Sequence, residues 1–346
     1  MQVALHGGVD RLPCTCIVPI RAEHSLAAGE LSSYLTWLAA RTETIVVDGS
    51  PDEVFAAHER AWGATVRHLR PAADLATPMG KVGGVLTGVR FATHERLIIA
   101  DDDVRYDDRS LQQVFEALAS ADVVRPQNYF TPLPWHAGWD TGRTLLNRIS
   151  GGDWPGTLGV RRSILIRTGG YDGRAMFENL ELVRTVRAAG GSEFVASGVF
   201  VARRPSTFRH FTSQRVRQAY DEFARPMRLL IQLAVLPAAI AIAIRGGVGA
   251  LGACIAAIVL LAEIGRRRDG ATAVFPAWTP LFAPLWLAER AVCSWLALGT
   301  RVLFGGVRYR GRILAHAATP MRTLRARHGS PQPALVPESA APRRSA

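Results

Sequence analysis

The most restrictive feature of this chain is a long stretch with almost no charge. From Leu229 to Ala262 the only charged side chain is Arg245, which stands beside Gly246-Gly247. Glycines next to a lone charge are typical of a tight turn, and each of the two apolar segments is near the ~17–25 residues that a membrane helix needs. We expect two membrane-spanning helices, at roughly 228–244 and 247–264, because neither segment has a polar side to face water. The alternative is a buried helical hairpin of a soluble domain.

The arginines around this pair predict its orientation. Arg225 and Arg228 precede the pair and Arg266-Arg267-Arg268 follow it, so the positive-inside rule places both ends in the cytoplasm. Residues 301–346 hold nine arginines and one acidic residue, and the same rule keeps them in the cytoplasm. Since the number of crossings is then even, we expect the apolar segment 275–304, which prolines, Glu289 and Arg290 interrupt, to lie in the membrane interface.

The net charge of +12 bears on the partners of the chain. Residues 208–228 mix aromatic and arginine side chains, which predicts a basic amphipathic helix at a membrane surface. No basic–aromatic or zinc-finger pattern accompanies the basic tail at 301–346, so we expect anionic membrane lipids and no nucleic acid as partners. The N-terminus does not have the pattern of a signal peptide, and the first domain is therefore expected in the cytoplasm, at the cell membrane.

Before residue 208, short apolar strands alternate with helical patterns. Predicted strands cover 14–20, 44–48, 64–69 and 97–100, and predicted helices cover 26–40, 52–62 and 80–91. Such alternation predicts an α/β domain with a mostly parallel, doubly wound sheet. Further along we expect a helix at 111–118, a strand at 122–125, a long functional loop at 126–157, a strand at 158–162, a helix at 178–189 and a strand at 194–201.

Three carboxylates, Asp101-Asp102-Asp103, directly follow the strand at 97–100. Adjacent carboxylates repel one another, and a cation among them lowers that cost. At the carboxyl end of a parallel strand they would line the crevice in which α/β sheets bind ligands. Asp48 ends a second strand, and Lys81, the only lysine, opens the helix between the two. This set predicts a nucleotide-diphosphate site with Mg²⁺ or Mn²⁺, and the alternative is an ordinary acidic loop before the next helix.

Six motifs in order resemble the family-2 glycosyltransferases of the GT-A fold, and among them the ceramide glucosyltransferase-like, membrane-associated branch. They are Val18-Pro19-Ile20-Arg21-Ala22-Glu23, Val46-Val47-Asp48-Gly49-Ser50, residues 80–88, Asp101-Asp102-Asp103, Gly169-Gly170-Tyr171-Asp172 and Gln214-Arg215-Val216-Arg217-Gln218. The resemblance covers roughly residues 14–228. It implies a GT-A (Rossmann-like, mostly parallel) catalytic domain that transfers a sugar, with inversion, from a nucleotide-diphospho-sugar, for which we expect a UDP-sugar.

The resemblance also implies roles for individual residues. Asp48 would contact the base, Asp101 the ribose and diphosphate, and Asp103 the metal together with Asp101. Gln214 and Arg217 would face the diphosphate or the acceptor entrance. The remaining expected contacts are Pro19, Arg21, Glu23, Lys81 and Asp102 for the nucleotide sugar and Trp154, from the predicted loop, for the diphosphate or acceptor.

Two positions depart from the pattern of the family. Gln218 stands where the QxxRW signature has tryptophan, and Asn179 stands where the family has the aspartate that serves as general base. Asparagine cannot accept that proton, so the neighbouring Glu178 is the first candidate for the base and Glu181 the second. Both glutamates are alternatively explained by the preference of acidic residues for the first turn of a helix.

These inferences divide the chain into five parts. They are a catalytic domain at 1–207, an interfacial helix at 208–228, two membrane helices at 229–264, an interfacial or third hydrophobic helix with a basic cytoplasmic segment at 265–328, and a disordered tail at 329–346. The predicted function is inverting sugar transfer to a lipid or lipid-linked hydroxyl at the cytoplasmic membrane face. The alternatives are a polyprenyl-phosphate glycosyltransferase, which needs no base, and an inactive nucleotide-sugar-binding membrane protein. A transporter is poorly supported, because neither span has an ionisable residue at its centre. The oligomeric state stays open.

Overall fold

A computed structural model describes residues 11–309 and 311–328, and its central feature is a curled mixed sheet. The strands of the described chain are β1 (Cys14–Ile20), β2 (Glu43–Asp48), β3 (Arg67–Leu69), β4 (Arg96–Ala100), β5 (Val104–Arg105), β6 (Val123–Phe130), β7 (Thr157–Arg161), β8 (Glu193–Arg203), β9 (Val307–Tyr309) and β10 (Arg312–Leu314). The first eight form one sheet in the order β3-β2-β1-β4-β7-β6-β8-β5, and β9 and β10 form a separate antiparallel pair.

The earlier helices cover the two faces of this sheet, and the later ones follow in the C-terminal part of the chain. They are α1 (Glu30–Ala39), α2 (Asp52–Trp62), α3 (Gly80–Phe91), α4 (Asp108–Ala117), α5 (Trp135–Arg148), α6 (Arg162–Arg167), α7 (Glu178–Ala188), α8 (Phe208–Ser213), α9 (Arg215–Tyr220), α10 (Pro226–Arg267), α11 (Ala283–Phe304) and α12 (Met321–His328). Single 3₁₀ turns lie at Ala73–Leu75, Asp221–Ala224, Arg268–Ala273 and Thr279–Phe282.

The prediction of an α/β domain with a mostly parallel sheet is confirmed. Strands β3, β2, β1 and β4 are parallel neighbours, as are β6 and β8, whereas β7 runs antiparallel to β4 and β6 and β5 runs antiparallel to β8. The parallel strands read as continuous apolar runs because both faces of the sheet are covered. In β1, Ile17 packs into the core under α3 and α7, while Cys16 and Val18 pack into the core under α1, α2 and α4.

The segment 126–157 differs from its prediction as one long loop. Strand β6 continues to Phe130, and α5 then occupies Trp135–Arg148, with its inner residues buried. No proline lies inside this helix, since Pro132 and Pro134 precede it, whereas Gly138 and Gly142 lie within it and glycine does not remove a helical hydrogen bond. Helix α5 is therefore a packed element, and α10, α11 and the turn at Thr279–Phe282 all pack against it.

The apolar stretch folds as the predicted hairpin. The helical path of α10 is broken at Gly247, which has φ 67° and ψ −172°, a conformation that glycine adopts most easily. Both ends of α10 contact the same end of α5, since Arg228 donates to Asn147 Oδ1 at 3.0 Å and Arg148 donates to the Gly265 carbonyl at 3.1 Å. Residues 226–273 are long and apolar enough to cross a membrane, and only 6% of their most apolar stretch is buried.

Helix α11 and the segment after it pack back onto the domain built around the eight-stranded sheet, which we call the sheet domain. Residues 279–304 are also long and apolar enough to cross a membrane, yet 39% of their most apolar stretch is buried. Gly142 on α5 closely approaches the backbone of Ala283 at the start of α11, and near its end Arg301 Nη1 donates to the Tyr220 hydroxyl at 2.8 Å. Because both ends of α11 touch the sheet domain, the helix lies along that domain.

The segment 208–228 is not the single helix that we expected. It consists of α8, α9 and the 3₁₀ turn Asp221–Ala224, and α10 begins at Pro226. Proline lacks a backbone N–H and is tolerated at the first turn of a helix, so it separates this segment from the hairpin. The predicted disordered tail at 329–346 lies outside the described residues.

Candidate active site

The candidate site lies at the carboxyl edge of the sheet, where β4 ends at Ala100. The Asp101 backbone N–H donates to the Gly156 carbonyl at 2.9 Å, which holds the acidic segment against the start of β7. A side chain at Gly156 would meet the Asp101 carboxylate at 2.7 Å, so this close approach requires glycine. Strand β8 ends beside the same segment, because Val104 pairs with Arg203.

One ion-pair network at this edge of the sheet joins Asp101, Lys81 and Glu178. Lys81 Nζ lies 2.5 Å from Asp101 Oδ1 and 2.8 Å from Glu178 Oε1. Burial opposes the charge of Lys81, but the two carboxylates outweigh it and raise the pKa of Lys81 above its usual value. The expected contact of Lys81 with the nucleotide sugar stays a prediction, since Lys81 does not line the cavity described below and its charge is shared between two carboxylates.

Asp103 has the free oxygen that a metal site requires. Its Oδ2 accepts a hydrogen bond from Arg203 Nε at 2.9 Å, whereas its Oδ1 is buried and has no hydrogen-bond partner among the described residues. An oxygen in this state fits a hard divalent cation such as Mg²⁺ or Mn²⁺, which binds carboxylates and keeps several waters. Asp101 Oδ2 is 3.5 Å from Arg203 and lines the same cavity. The two outer carboxylates of the acidic segment therefore fit the expected metal, with Arg203 as a neighbouring cation.

A cavity of about 270 Å³ opens over these carboxylates. Its floor is the sheet edge with Asp101, Asp103 and Arg203, and one wall is the start of α7 with Glu178 and Asn179. The opposite wall comes from α5, α8, α9, the turn at Asp221–Ala224, α11 and the first turn of the hairpin. The predicted residues Trp154, Gln214 and Arg217 all line this cavity, together with Gln218, so the α8–α9 segment contributes to the site.

Helix α7 shows what the departure at Asn179 means structurally. Asn179 Nδ2 donates to the Pro155 carbonyl at 2.9 Å, so the amide holds the loop before β7. Glu178 lines the cavity but is paired with Lys81. Glu181, the second candidate for the base, is fully buried, accepts from the Thr319 backbone N–H at 2.6 Å and does not line the cavity. Its position therefore excludes contact with an acceptor and gives it a structural role.

The side of the cavity nearest the hairpin is rich in arginine. Arg225, Arg228 and Arg290 line it, and the Nε atoms of Arg225 and Arg290 are buried without a hydrogen-bond partner in the described chain. Burial lowers the pKa of Arg225 to about 10, with Glu222 opposing that shift. Arg290 is 2% exposed, and burial likewise lowers its pKa. Such incompletely paired guanidinium groups favour an anionic ligand at this end.

Asp48 is not presented to a ligand, contrary to the expected contact with a base. Its side chain is fully buried, its Oδ1 accepts from the Ser50 backbone, and its Oδ2 lies 2.7 Å from His58 Nδ1 and 3.2 Å from His68 Nε2. Burial raises the pKa of Asp48, but the hydrogen bonds from His68, Ser50 and His58 outweigh it and hold the pKa well below the usual value. Sequence reasoning missed both histidines, which lie outside every motif.

Asp48, His58 and His68 also have the spacing of a metal site, but their hydrogen bonds argue against one. The Leu26 backbone N–H donates to His58 Nε2 at 2.8 Å, so the proton of a neutral His58 lies on Nδ1 and points at Asp48. His68 faces a carboxylate at each ring nitrogen, with Glu59 Oε2 2.6 Å from Nδ1. Burial lowers the pKa of His68, but the bonds to Asp48 and Glu59 outweigh it and raise the pKa. The group is therefore a hydrogen-bonded cluster in which His58 Nε2 accepts from the backbone and the other three ring nitrogens face carboxylates.

The other predicted nucleotide contacts lie beside the cavity. Arg21 and Glu23 are exposed just after β1, and Pro19 is half-buried with Gly84 of α3 packed close to its side chain. Asp102 is exposed and lines a second depression with Glu30, Arg105 and Arg204. These residues lie at or after the carboxyl ends of the parallel neighbours β1 and β4, but they do not line the main cavity.

Comparisons with known proteins give a likeness of fold to solved structures. No protein-family model and no curated protein matches the chain. Among solved structures, a mannosyltransferase from Pyrobaculum calidifontis in complex with GDP-mannose and Mn²⁺ is similar, with a TM-score of 0.48 and 20% identity over 82% of this chain and 87% of that one. The sugar nucleotide and the metal are those of that protein.

Proposed function

We propose that this protein is an inverting glycosyltransferase that moves a sugar from a nucleotide-diphospho-sugar to a lipid acceptor at a membrane surface. The observation that carries the proposal is the unpartnered, buried Oδ1 of Asp103 in a cavity that the carboxyl edge of the sheet shares with the base of the apolar hairpin. A metal-dependent donor site and an entrance for lipid are thereby joined in one cavity.

On the donor side, Asp103 and Asp101 would hold Mg²⁺ or Mn²⁺. The ion supplies positive charge to the diphosphate as it leaves. Arg203 lies 2.9 Å from Asp103 and adds a fixed cation at the same edge of the sheet. Lys81 holds Asp101 and Glu178 in place through its two ion pairs. Preorganised charges of this kind stabilise a developing anion without reorganisation during the reaction. The donor is proposed to be a UDP-sugar, and the likeness to ceramide glucosyltransferase-like enzymes remains a prediction from the sequence motifs.

On the acceptor side, the first turn of the hairpin belongs to the cavity wall. Arg228 lines the cavity, and from Leu230 onward α10 exposes large apolar side chains such as Ile231, Leu236 and Ile240. Trp286 and Arg290 of α11 line the same side. A lipid lying against the hairpin would place its headgroup in the cavity, so a lipid or lipid-linked hydroxyl fits this arrangement.

A polyprenyl phosphate is the second candidate for the acceptor. The incompletely paired Nε atoms of Arg225 and Arg290 favour it, because a phosphate accepts hydrogen bonds from several guanidinium groups. A phosphate ionised near pH 7 would need no base. The inactive binding protein, the third reading, predicts donor binding without transfer.

The test is to incubate the full-length protein, in detergent, with a panel of nucleotide sugars, Mn²⁺ and membrane lipid extract. Products are identified by mass spectrometry, with and without a chelator. We expect one nucleotide sugar to yield a glycosylated lipid only when Mn²⁺ or Mg²⁺ is present. A phosphodiester-linked product would select the polyprenyl phosphate, and donor binding without any product would select the inactive protein.

A further inference from the structure

We propose that Asp221 is the general base that accepts the proton of the acceptor hydroxyl, in place of the aspartate that Asn179 has replaced. The inference rests on the proposed function with a hydroxyl acceptor. It concerns a residue that lies outside all the sequence motifs.

Asp221 is positioned by the segment that closes the cavity. It is the first residue of the 3₁₀ turn Asp221–Ala224, directly after α9, and α9 packs against α11. It lines the same cavity as Glu178, Asn179 and Trp154. Its Oδ1 is buried and has no hydrogen-bond partner among the described residues, which is costly unless a ligand supplies one.

The other acidic side chains of the cavity are each held by a cation. The nearest pairs are Asp101 with Lys81 at 2.5 Å, Asp103 with Arg203 at 2.9 Å, Asp140 with Arg215 at 2.9 Å, Asp153 with Arg143 at 3.1 Å, Glu178 with Lys81 at 2.8 Å and Glu222 with Arg225 at 2.7 Å. A carboxylate paired in this way is a weaker base, because protonation would break the pair. Asp221 lines the same cavity and has no ion pair within 4 Å among those found for the described residues, and its Oδ1 has no hydrogen-bond partner there.

The charges around Asp221 suit a base that works near neutral pH. Burial raises its pKa to about 7, with Arg217 and Arg225 opposing the shift and Glu178 and Glu222 adding to it. The groups that face it thus come from α9, α7 and its own turn, and Arg228 of α10 lies 3.5 Å from Glu222. A general base is most effective when its pKa is close to the working pH.

The proposed step balances in atoms and charge. The acceptor oxygen forms a bond to the anomeric carbon on the face opposite the diphosphate, and the O–H proton passes to the Asp221 carboxylate. The bond from the anomeric carbon to the diphosphate oxygen breaks, and its electron pair leaves with the nucleoside diphosphate. Asp221 then returns its proton to water.

The experiment compares Asp221→Asn with Glu178→Gln in the full-length protein, using lipid extract and the donor that the wild type accepts. We expect Asp221→Asn to lower kcat by about 10²-fold or more, which is the usual scale for a general base. It should also abolish the fall of kcat below pH 7, because that fall reports protonation of the base. Glu178→Gln should retain this fall. Binding of nucleoside diphosphate with Mn²⁺, measured by calorimetry, should stay within about twofold of wild type in Asp221→Asn.

Two further measurements distinguish a loss of catalysis from a loss of folding. They are the kcat of Asp221→Glu and the thermal midpoint of each variant. Asp221→Glu keeps a carboxylate and should restore part of the lost kcat, with the acidic fall present. Near-normal kcat in Asp221→Asn, or loss of nucleoside diphosphate binding in that variant, would overturn the assignment. If the acidic fall disappears in Glu178→Gln instead, the base is Glu178. If the wild type neither binds nucleoside diphosphates nor forms a product, the proposed function itself fails.

Discussion

At the scale of single residues, the carboxylates of the site differ in what holds them. Asp101 and Glu178 share the ammonium of Lys81, whereas Asp103 keeps one oxygen without a partner. The sequence grouped Asp101, Asp102 and Asp103 as equals, and only the structure shows Asp102 exposed and Asp103 buried at Oδ1. Arg203, which donates to Asp103 Oδ2 at 2.9 Å, is a hundred residues away and was not recognised from the sequence.

Asp103→Asn tests the metal site directly. The amide keeps the size of the side chain but removes the charge that a hard cation requires, so Mn²⁺-dependent turnover should fall below about 1% of wild type. Calorimetric titration with Mn²⁺ and nucleoside diphosphate provides a readout that does not depend on activity, and its Mn²⁺-dependent part should disappear. Asp108→Asn is the matched control, because Asp108 is an exposed aspartate on α4 that is paired with Arg41. Metal-independent turnover at the wild-type rate in Asp103→Asn would exclude Asp103 as a ligand.

At the scale of elements, the sequence predicted what depends on local pattern and failed where packing decides. Strands β1, β2 and β4 and helices α2 and α7 lie within two residues of their predicted bounds, because continuous apolar runs and amphipathic spacing determine them. Helix α5 was missed, since Pro132 and Pro134 directly before it and the glycines within and after it are typical of a loop. The division of residues 208–228 into α8, α9 and a turn could not be predicted, because it follows from contacts with α11 across the chain. For the same reason the sequence offered Glu178 and Glu181 as bases and passed over Asp221.

Helix α7 depends on the C-terminal segment, and Glu181 is the link that can be tested. The Met176 and Phe177 N–H groups donate to the carbonyls of His316 and Ala317, and Glu181 accepts from Thr319. Glu181→Ala leaves the buried Thr319 N–H unpaired and should lower the free energy of unfolding by about 1–3 kcal/mol. Glu181→Gln keeps an acceptor oxygen and should lose less.

Limited proteolysis and thermal melting measure this link. In Glu181→Ala we expect faster tryptic cleavage at the arginines of α12, since that helix packs on α7. Equal cleavage rates in Glu181→Ala and wild type would mean that other contacts hold the segment.

His68 should make the edge of the sheet sensitive to alkaline pH. Its pKa is raised in the folded protein, because the bonds to Asp48 and Glu59 outweigh burial. The resulting stabilisation is fully present below the unfolded value of about 6.5 and is lost as the pH rises through the higher folded value. The thermal midpoint of wild type should therefore exceed that of His68→Gln by more at pH 6 than at pH 9. His24→Gln, at an exposed histidine, should show no such difference. An excess that does not change with pH would contradict a charged His68.

At the scale of the whole molecule, two long apolar helices have opposite relations to the sheet domain. Helix α11 touches it at both ends, through Ala283 and Arg301, and buries its inner side. Among the described residues, the α10 hairpin touches it through Arg228 on its first helix and through Ile258, Ala262 and Gly265 on its second, while Ile244 and Val248 beside Gly247 are exposed. A helix that is apolar on all sides and unburied is stable in a bilayer and unfavourable in water. The arrangement thus favours two crossings by α10 and an interfacial position for α11.

This arrangement leads to a topology that can be measured in cells. We expect Gly246-Gly247 on the far side of the membrane and both the sheet domain and the C-terminus in the cytoplasm, because Arg225, Arg228 and Arg266–Arg268 flank the hairpin. A cysteine introduced at Gly246, in a background without the four native cysteines, should react with a membrane-impermeant maleimide in intact cells. A cysteine at exposed Ser25 of the sheet domain should react only after lysis.

A reporter fused after Ala346 should score as cytoplasmic. If that reporter scores on the far side, α11 must cross as a third span, which would require it to leave the contacts of Arg301 with Tyr220 and Ala315. If the cysteine at Gly246 reacts only after lysis, the hairpin does not cross, and the lipid would have to reach the cavity from the membrane surface alone.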